Sequence, residues 1–167
     1  MPADPMPGMP IQNRTVLVVD DTEDNLVITV RSLQEIGVRC VAASRGWQAL
    51  EIAQREPIDL ILLDLIMPRM DGWTTLAGLR GNPKTQHIPV VMFTCDDRFA
   101  IRERAMREGV VDFLPRPVAR TALLQCVRTH LNAVAHAQAL DAMGRDLEST
   151  LRRQNAGPIG TDTGPSK

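Results

Sequence analysis

The chain has 167 residues, which is enough for one domain with a proper core plus extensions. Its hydrophobic fraction of 44% and charged fraction of 23% are ordinary for a globular protein, and its net charge of −1 comes without a long basic block. This balance argues against a dedicated nucleic-acid or anionic-membrane binder. No apolar stretch approaches the length of a membrane span, and the proline-rich start lacks the basic and the apolar regions of a secretory signal. The separated cysteines indicate reduced thiols, so we expect a cytoplasmic protein.

Strand and helix signals alternate five times along the chain. The valine-rich run 15–19 ends at an acidic pair, and residues 24–36 then carry apolar side chains at helical spacing. The same alternation continues, which predicts a parallel sheet with right-handed crossovers and helices on both faces. The remaining predicted strands are 38–43, 58–63, 89–93 and 110–114, and the remaining predicted helices are 46–55, 73–79, 98–107 and one that begins near residue 119.

The fifth predicted helix does not stop where a compact domain requires it to. If it is unbroken to about residue 154 it is ~50 Å long, so its second half should project. Gly144 counts against continuity. A stripe at spacings of three, four and four residues favours pairing with a second copy as a homodimer, and the alternative is a helix that folds back or frays. The stripe is Leu140, Met143, Leu147 and Leu151.

Cysteine and histidine positions give no sign of a disulfide or a metal site. The three cysteines are far apart and form no C-x-x-C pair. Cys40 and Cys95 fall in apolar runs, which predicts reduced, packed thiols. The histidine spacings do not suggest metal ligands. The histidines are His87, His130 and His136, and the third cysteine is Cys126.

Polar side chains stand at the predicted carboxyl ends of the strands. Asp20 and Asp21 follow the first strand, Asp64 the third, Thr94 the fourth and Arg116 the fifth. These ends lie along one edge of a parallel sheet, where ligands and chemistry collect. Three carboxylates, a hydroxyl and a cation should therefore face a common crevice.

Clustered carboxylates repel one another, and a hard divalent cation offsets that repulsion. An oxygen-rich site suits Mg²⁺. With Mg²⁺ bound, a carboxylate oxygen can attack a phosphoryl group, while Thr94 donates a hydrogen bond to the phosphoryl oxygens and Arg116 pairs with them.

Residues 14 to about 134 resemble a response-regulator receiver domain of two-component signalling, of the single-domain CheY-like type with a C-terminal helical extension. The resemblance rests on the acidic pair, on Leu-Leu-Asp64-Leu-Ile-Met-Pro-Arg-Met-Asp-Gly, on Thr94 and on Phe113-Leu-Pro-Arg116-Pro. It implies a flavodoxin-like (βα)5 fold, a doubly wound parallel sheet of order 2-1-3-4-5. It also implies a phosphorylation switch that receives its phosphoryl group on Asp64 from a histidine kinase or a histidine phosphotransfer protein. Such a domain is regulatory, and catalyses only its own phosphotransfer and slow autodephosphorylation.

The resemblance assigns roles to particular residues. Asp20, Asp21 and Asp64 would hold Mg²⁺ together with the backbone carbonyl of Ile66. Phe113 would change rotamer when Thr94 moves toward the phosphoryl group, although an ordinary strand-end hydrophobe is an equal alternative for Phe113.

Two positions near the expected phosphoryl group draw separate hypotheses. Arg116 stands where the family usually carries lysine, and its longer, forked side chain is not equivalent to a compact ammonium. Arg116 either pairs with the phosphoryl group and alters lifetime or switching, or leaves the site partly uncoupled. Ile66 and Asp96 flank the path of a hydrolytic water, so we expect the aspartyl phosphate lifetime to depend on Ile66.

Three other functions compete with the receiver. A haloacid-dehalogenase-like, Mg²⁺-dependent phosphohydrolase also uses an aspartate nucleophile, but it requires a second aspartate where this chain has Ile66. A flavin carrier of the same fold is disfavoured by the acidic first loop, 20–24. The third alternative is an interaction or dimerisation scaffold uncoupled from phosphorylation.

We predict four segments: a disordered tail 1–13, the receiver domain 14–134, a helical extension 135–155 for possible dimerisation, and a disordered tail 156–167. The roughly 30 residues after the receiver are too few for an ordinary output domain. Output should therefore come from contact with a downstream protein, without direct contact with nucleic acid or membrane.

Overall fold

The computed structural model describes residues 11–157. Five strands, all paired in parallel, form one sheet of order β2-β1-β3-β4-β5, and this confirms the predicted flavodoxin-like fold with its extended C-terminal helix. Within residues 11–157, no helix has the length and apolar character needed to cross a membrane. The elements are β1 Thr15–Val19, α1 Glu23–Gln34, β2 Arg39–Ala43, α2 Gly46–Arg55, β3 Leu60–Leu63, α3 Gly72–Arg80, β4 Val90–Thr94, α4 Phe99–Arg107, β5 Asp112–Pro115 and α5 Arg120–Asn155.

The three central strands are apolar throughout because both of their faces are covered. Every residue of β1, β3 and β4 is buried. Successive side chains alternate between the faces, so Leu17 and Val19 pack toward α2, α3 and α4, whereas Val16 and Val18 pack toward α1 and α5. The sheet therefore carries one apolar core on each side.

Two predicted strands begin two residues earlier than the observed ones. Residues 58 and 59 precede β3, and Asp59 turns its carboxylate to the backbone N–H of Thr15 at 2.8 Å. Val110 precedes β5 because its N–H donates to the carbonyl of Ala105 in α4 instead of joining the ladder. Hydrogen bonds to neighbouring elements, which the sequence pattern does not display, set these bounds.

Helix α5 is continuous over 36 residues, including Gly144. Its first half buries Leu123, Val127 and Leu131 against the sheet, and every side chain from residue 140 to 156 is exposed. The helix crosses the predicted boundary at 134/135 without interruption, so that division remains a prediction. The predicted disordered tails lie largely outside the described residues, although Ile11 is described and packs against the core.

One of the two cysteines predicted to be packed departs from that expectation. Cys95 is exposed, Cys40 is half-buried and Cys126 is buried, and all three are free. Cys95 comes directly after the last residue of β4, so it belongs to the loop beyond the sheet rather than to the buried ladder. The prediction was wrong for this residue.

Candidate functional site

Three carboxylates converge at the carboxyl edge of the sheet. Val19 of β1 and Leu63 of β3 are register partners, so the residues that follow them, Asp20 and Asp64, emerge side by side. Asp20 and Asp64 are buried and Asp21 is exposed, and carboxylate oxygens of all three lie within 4.8 Å of one another. The sequence-predicted acidic cluster is thus a single site.

Burial and the neighbouring groups have opposite effects on the pKa of Asp64. Burial raises the pKa of its carboxyl group, while the Ile66 N–H, the Arg116 charge and the Thr94 hydroxyl act in the opposite direction. The Ile66 N–H lies 3.3 Å from Asp64 Oδ1. A cation placed among these oxygens would favour the ionised form of Asp64.

The loop after β3 is shaped by its Asp-Gly pair. The Asp71 side chain accepts a hydrogen bond from Thr74 N at 2.8 Å and caps α3. Gly72 donates its N–H to the carbonyl of Leu65 at 2.8 Å. A Cβ on Gly72 would lie 2.5 Å from the Asp64 carbonyl oxygen, which no other residue type tolerates without a backbone shift. The glycine therefore lets α3 start directly against the segment that carries Asp64.

Arg116 forms an ion pair that the sequence did not predict. Its Nη1 lies 2.5 Å from Asp20 Oδ2, and its guanidinium stacks 3.9 Å from the centre of the Phe93 ring. The contact is an ion pair without hydrogen-bond alignment, so Asp20 Oδ2 is held by charge alone. The other two guanidinium nitrogens, Arg116 Nε and Nη2, are buried without a hydrogen-bond partner among the described residues. Buried donors without a partner fit an anionic group brought by a ligand, and a buried carboxylate oxygen held only by an ion pair can turn to a cation.

Thr94 and Phe113 are buried on neighbouring strands. Thr94 is the last residue of β4, and its Oγ1 accepts a 3.4 Å hydrogen bond from Asp96 N. Phe113 pairs in register with Met92 of β4, and the Arg102 guanidinium lies 5.1 Å from its ring centre. The two side chains therefore belong to the same part of the sheet, with Thr94 at its edge and Phe113 within the core.

Ile66 lies at the rim of the site. Its side chain is 56% exposed and lines a groove of about 290 Å³ together with Trp73 and Asp96. Arg98 holds Asp96 through two contacts, Nε to Oδ1 at 2.9 Å and Nη2 to Oδ2 at 2.7 Å. Ile66 also occupies the position where a haloacid-dehalogenase-like enzyme requires its second carboxylate, so this position is apolar here.

A second cluster was missed by the sequence analysis. Asp112, Cys126 and His130 each offer one ligand atom, and these atoms lie within 4.8 Å of one another. The available signal was the four-residue spacing of Cys126 and His130 on the fifth predicted helix, which places both on one face. The third member stands on another element, so spacing along the chain does not reveal it.

Comparisons with known proteins agree with this geometry. The family model for the response regulator receiver domain matches residues 16–128. A Vibrio cholerae protein named "Probable cyclic di-GMP phosphodiesterase" is 38% identical over 141 residues, which cover 84% of this chain and 32% of that protein. Protein PilH of Pseudomonas aeruginosa is 28% identical over 116 residues, which cover 70% of this chain and 96% of that protein. The chain thus spans about a third of one relative and nearly all of the other.

A solved structure also shares the fold. It is the receiver domain of the sensor histidine kinase PA1611 from Pseudomonas aeruginosa, with a magnesium ion coordinated in its active site cleft. The match has a TM-score of 0.66 and 25% identity, and covers 71% of this chain and 98% of that one. With the family model matched over most of the described chain and the carboxylates gathered at the sheet edge, the chain belongs to the response regulator receiver domain family, the regulatory domain of two-component signalling.

Proposed function

We propose that Asp64 accepts a phosphoryl group from a phosphohistidine of a histidine kinase or a histidine phosphotransfer protein. The observation that carries this proposal is the buried Asp64 carboxylate, within 4.8 Å of the Asp20 and Asp21 carboxylates and beside the unpaired donors of Arg116. The aspartyl phosphate would then change the contacts of the domain with a downstream protein. We infer that this takes place in the cytoplasm, a compartment compatible with three free cysteines.

The residues present fit a Mg²⁺ ion. Asp20, Asp21, Asp64 and the backbone carbonyl of Ile66 would hold it, and all of these donors are oxygens. The buried Asp20 Oδ2, which lacks a hydrogen-bond partner among residues 11–157, supports this assignment. When bound, the ion offsets the repulsion among the carboxylates and the charge that develops on the phosphoryl oxygens. The magnesium in the PA1611 receiver domain adds support by similarity.

The chain's own groups account for the transfer. An Asp64 carboxylate oxygen attacks phosphorus, a P–O bond forms, the P–N bond to the donor histidine breaks, and the departing imidazole takes a proton from solvent. The Thr94 hydroxyl donates to one phosphoryl oxygen, and Arg116 Nε and Nη2 donate to another. Thr94 moves toward the phosphoryl group in this scheme, and Phe113, two ladder positions behind it on the next strand, repacks in response.

The Asp64 assignment is tested by intact mass. Acetyl phosphate with Mg²⁺ should add about 80 Da to the wild-type chain, the mass of one phosphoryl group. Asp64→Asn should gain nothing, and Asp141→Asn, which changes an exposed carboxylate on α5, should gain as much as the wild type. A mass gain that survives in Asp64→Asn would contradict the proposal.

The role of Arg116 is tested by its exchange for the family's lysine. If Arg116 pairs with the phosphoryl group, Arg116→Lys changes the lifetime of the aspartyl phosphate. If Arg116 uncouples the site, Arg116→Lys enlarges the conformational response to beryllofluoride and Mg²⁺, read from Trp73, which lines the groove beside Ile66. An unchanged lifetime together with an unchanged response would exclude both roles.

A homodimer through α5 is the second proposal, and it concerns output. The stripe Leu140, Met143, Leu147 and Leu151 is 50 to 69% exposed, which is a large apolar face to leave in water. Its spacings of three, four and four residues make one eleven-residue period, so the stripe runs nearly straight along the helix and suits a second copy of the same helix. Acidic and basic side chains flank it in acid-first i,i+4 pairs. In this arrangement residues 14–134 form the receiver and residues 135–155 the dimerisation extension.

A further inference from the structure

A mixed sulfur, nitrogen and oxygen cluster lies away from the carboxylates of the receiver site. Cys126 and His130 stand one helical turn apart on α5 and face β5, where Asp112 is the first residue of the strand. The His130 Nε2 lies 2.9 Å from Asp112 Oδ2, and the Cys126 Sγ lies 3.5 Å from the same oxygen. Three different ligand types thus meet at one point.

We propose that Asp112, Cys126 and His130 bind a Zn²⁺ ion, with water in the fourth position. Thiolate, imidazole and carboxylate are the ligands that Zn²⁺ takes in proteins, and three protein ligands plus water is a recurrent arrangement. Mg²⁺ does not suit a site that offers sulfur and nitrogen, so the two clusters are chemically distinct.

The distances in the cluster are close to those of a tetrahedral site. Ordinary zinc–ligand bond lengths at tetrahedral angles place the oxygen about 3.3 Å from the nitrogen and about 3.5 Å from the sulfur. The corresponding observed distances are 2.9 and 3.5 Å. The sulfur and nitrogen lie within 4.8 Å of each other. A tetrahedral zinc would hold them about 3.5 Å apart, so they need to approach by about 1.3 Å at most.

Exposure gives the ion a way in. The Asp112 side chain is 45% exposed and the His130 side chain 18% exposed, while Cys126 is buried behind them. An ion can therefore reach the carboxylate and imidazole first and the sulfur last, with the solvent side left for the water ligand.

Binding has a defined proton balance. In the metal-free protein the Cys126 thiol donates to Asp112 Oδ2. Zinc binding breaks the S–H bond, forms a Zn–S bond and sends that proton to solvent. The hydrogen by which His130 Nε2 bonds Asp112 passes through solvent to Nδ1, so the imidazole ligates through Nε2 as the neutral tautomer. Burial and the nearby Asp112 charge raise the pKa of Cys126 to about 12, so the thiol keeps its proton in the metal-free protein.

The test is a Co²⁺ titration of the full chain in excess Mg²⁺, which occupies the carboxylate site. One equivalent of Co²⁺ should produce thiolate-to-cobalt charge-transfer absorption, and Zn²⁺ should abolish it. Cys126→Ser should remove that absorption, and His130→Gln should weaken binding by about a hundredfold or more, beyond the cost of losing an outer-shell partner. Circular dichroism checks that both variants fold. If Cys126→Ser does not fold, His130→Gln still tests the site, because it keeps the Cys126 thiol.

Matched controls locate the ion. Cys95→Ser and His136→Gln change an exposed thiol and an exposed imidazole, and both should bind like the wild type. Asp64→Asn should also bind like the wild type, which separates this site from the receiver site. Absence of charge-transfer absorption, its dependence on Cys95, or unchanged affinity in His130→Gln would overturn the proposal.

Discussion

Arg116 and Asp20 are joined across the carboxyl edge of the sheet, with Arg116 Nη1 2.5 Å from Asp20 Oδ2. Asp20 follows β1 and Arg116 follows β5, and the ends of β3 and β4 lie between these two strands. The long side chain of arginine allows this contact, and the Arg116 guanidinium stacks on the Phe93 ring. In the metal-free protein, Arg116 thus supplies the positive charge that Asp20 requires.

Removing the Arg116 guanidinium should leave the buried negative charge of Asp20 without a partner. We expect Arg116→Gln to lower the free energy of unfolding of the metal-free protein by about 3 kcal/mol, since the lost partner leaves a buried carboxylate unpaired. Saturating Mg²⁺ should restore most of the lost free energy of unfolding, because the bound ion then neutralises the charge of Asp20. Urea denaturation with and without Mg²⁺ measures both values.

The matched control for Arg116→Gln is Arg55→Gln. Arg55 pairs with Glu51 at 2.9 Å, but its side chain is 75% exposed, so the loss should stay below about 1 kcal/mol and should not depend on Mg²⁺. Equal Mg²⁺ effects on the two variants would show that Arg116 and the ion do not share Asp20.

Asp64 should make wild-type stability depend on pH. Burial raises its folded-state pKa above the ordinary value, so the native state holds the proton more tightly than the unfolded chain does. The stability that Asp64 contributes is therefore full below the ordinary aspartate pKa and is lost as the pH rises through the raised value.

Asp64→Asn cannot ionise and escapes this loss. Without Mg²⁺, we expect it to have a higher free energy of unfolding than the wild type at neutral pH. The difference should shrink toward zero as the pH falls below the ordinary aspartate pKa. Urea denaturation across this range measures it, with Asp141→Asn as the exposed control. An Asp64→Asn variant that is less stable than the wild type at neutral pH would contradict the expectation.

Ile66 should control access of water to the aspartyl phosphate. Its exposed apolar side chain cannot orient a water molecule, whereas the carboxamide of Ile66→Asn can hydrogen-bond one. We expect dephosphorylation to accelerate several-fold, below the roughly hundredfold contribution of a positioned general base. Loss of the added phosphoryl mass over time gives the rate.

The matched control for Ile66→Asn is Met106→Asn. It changes a side chain on α4 that has the same 56% exposure, and it should leave the dephosphorylation rate unaltered. Equal rates in all three proteins would remove Ile66 from the hydrolytic path.

The dimer proposal predicts a change of mass in solution. Leu147→Glu places a charge in the middle of the apolar stripe and should convert the dimer to a monomer in light scattering, because a pair of buried like charges opposes association. Ala142→Glu adds the same charge on the opposite side of the helix, where it remains in water, and should stay dimeric. A monomeric wild-type protein, or the same mass for both variants, would argue against pairing through α5.

The sequence by itself determined the sheet and the line of polar residues along its edge. Alternating apolar runs and helical stripes record burial directly, so the strand and helix order and the positions of Asp20, Asp64 and Thr94 at strand ends were legible one element at a time. Tertiary structure decided which side chains meet. The pairing of Arg116 with Asp20, and the meeting of Asp112 on β5 with Cys126 and His130 on α5, join residues of different elements. Such contacts depend on the length of the side chains and on the packing of one element against another. Neither of these produces a repeating residue pattern in the sequence.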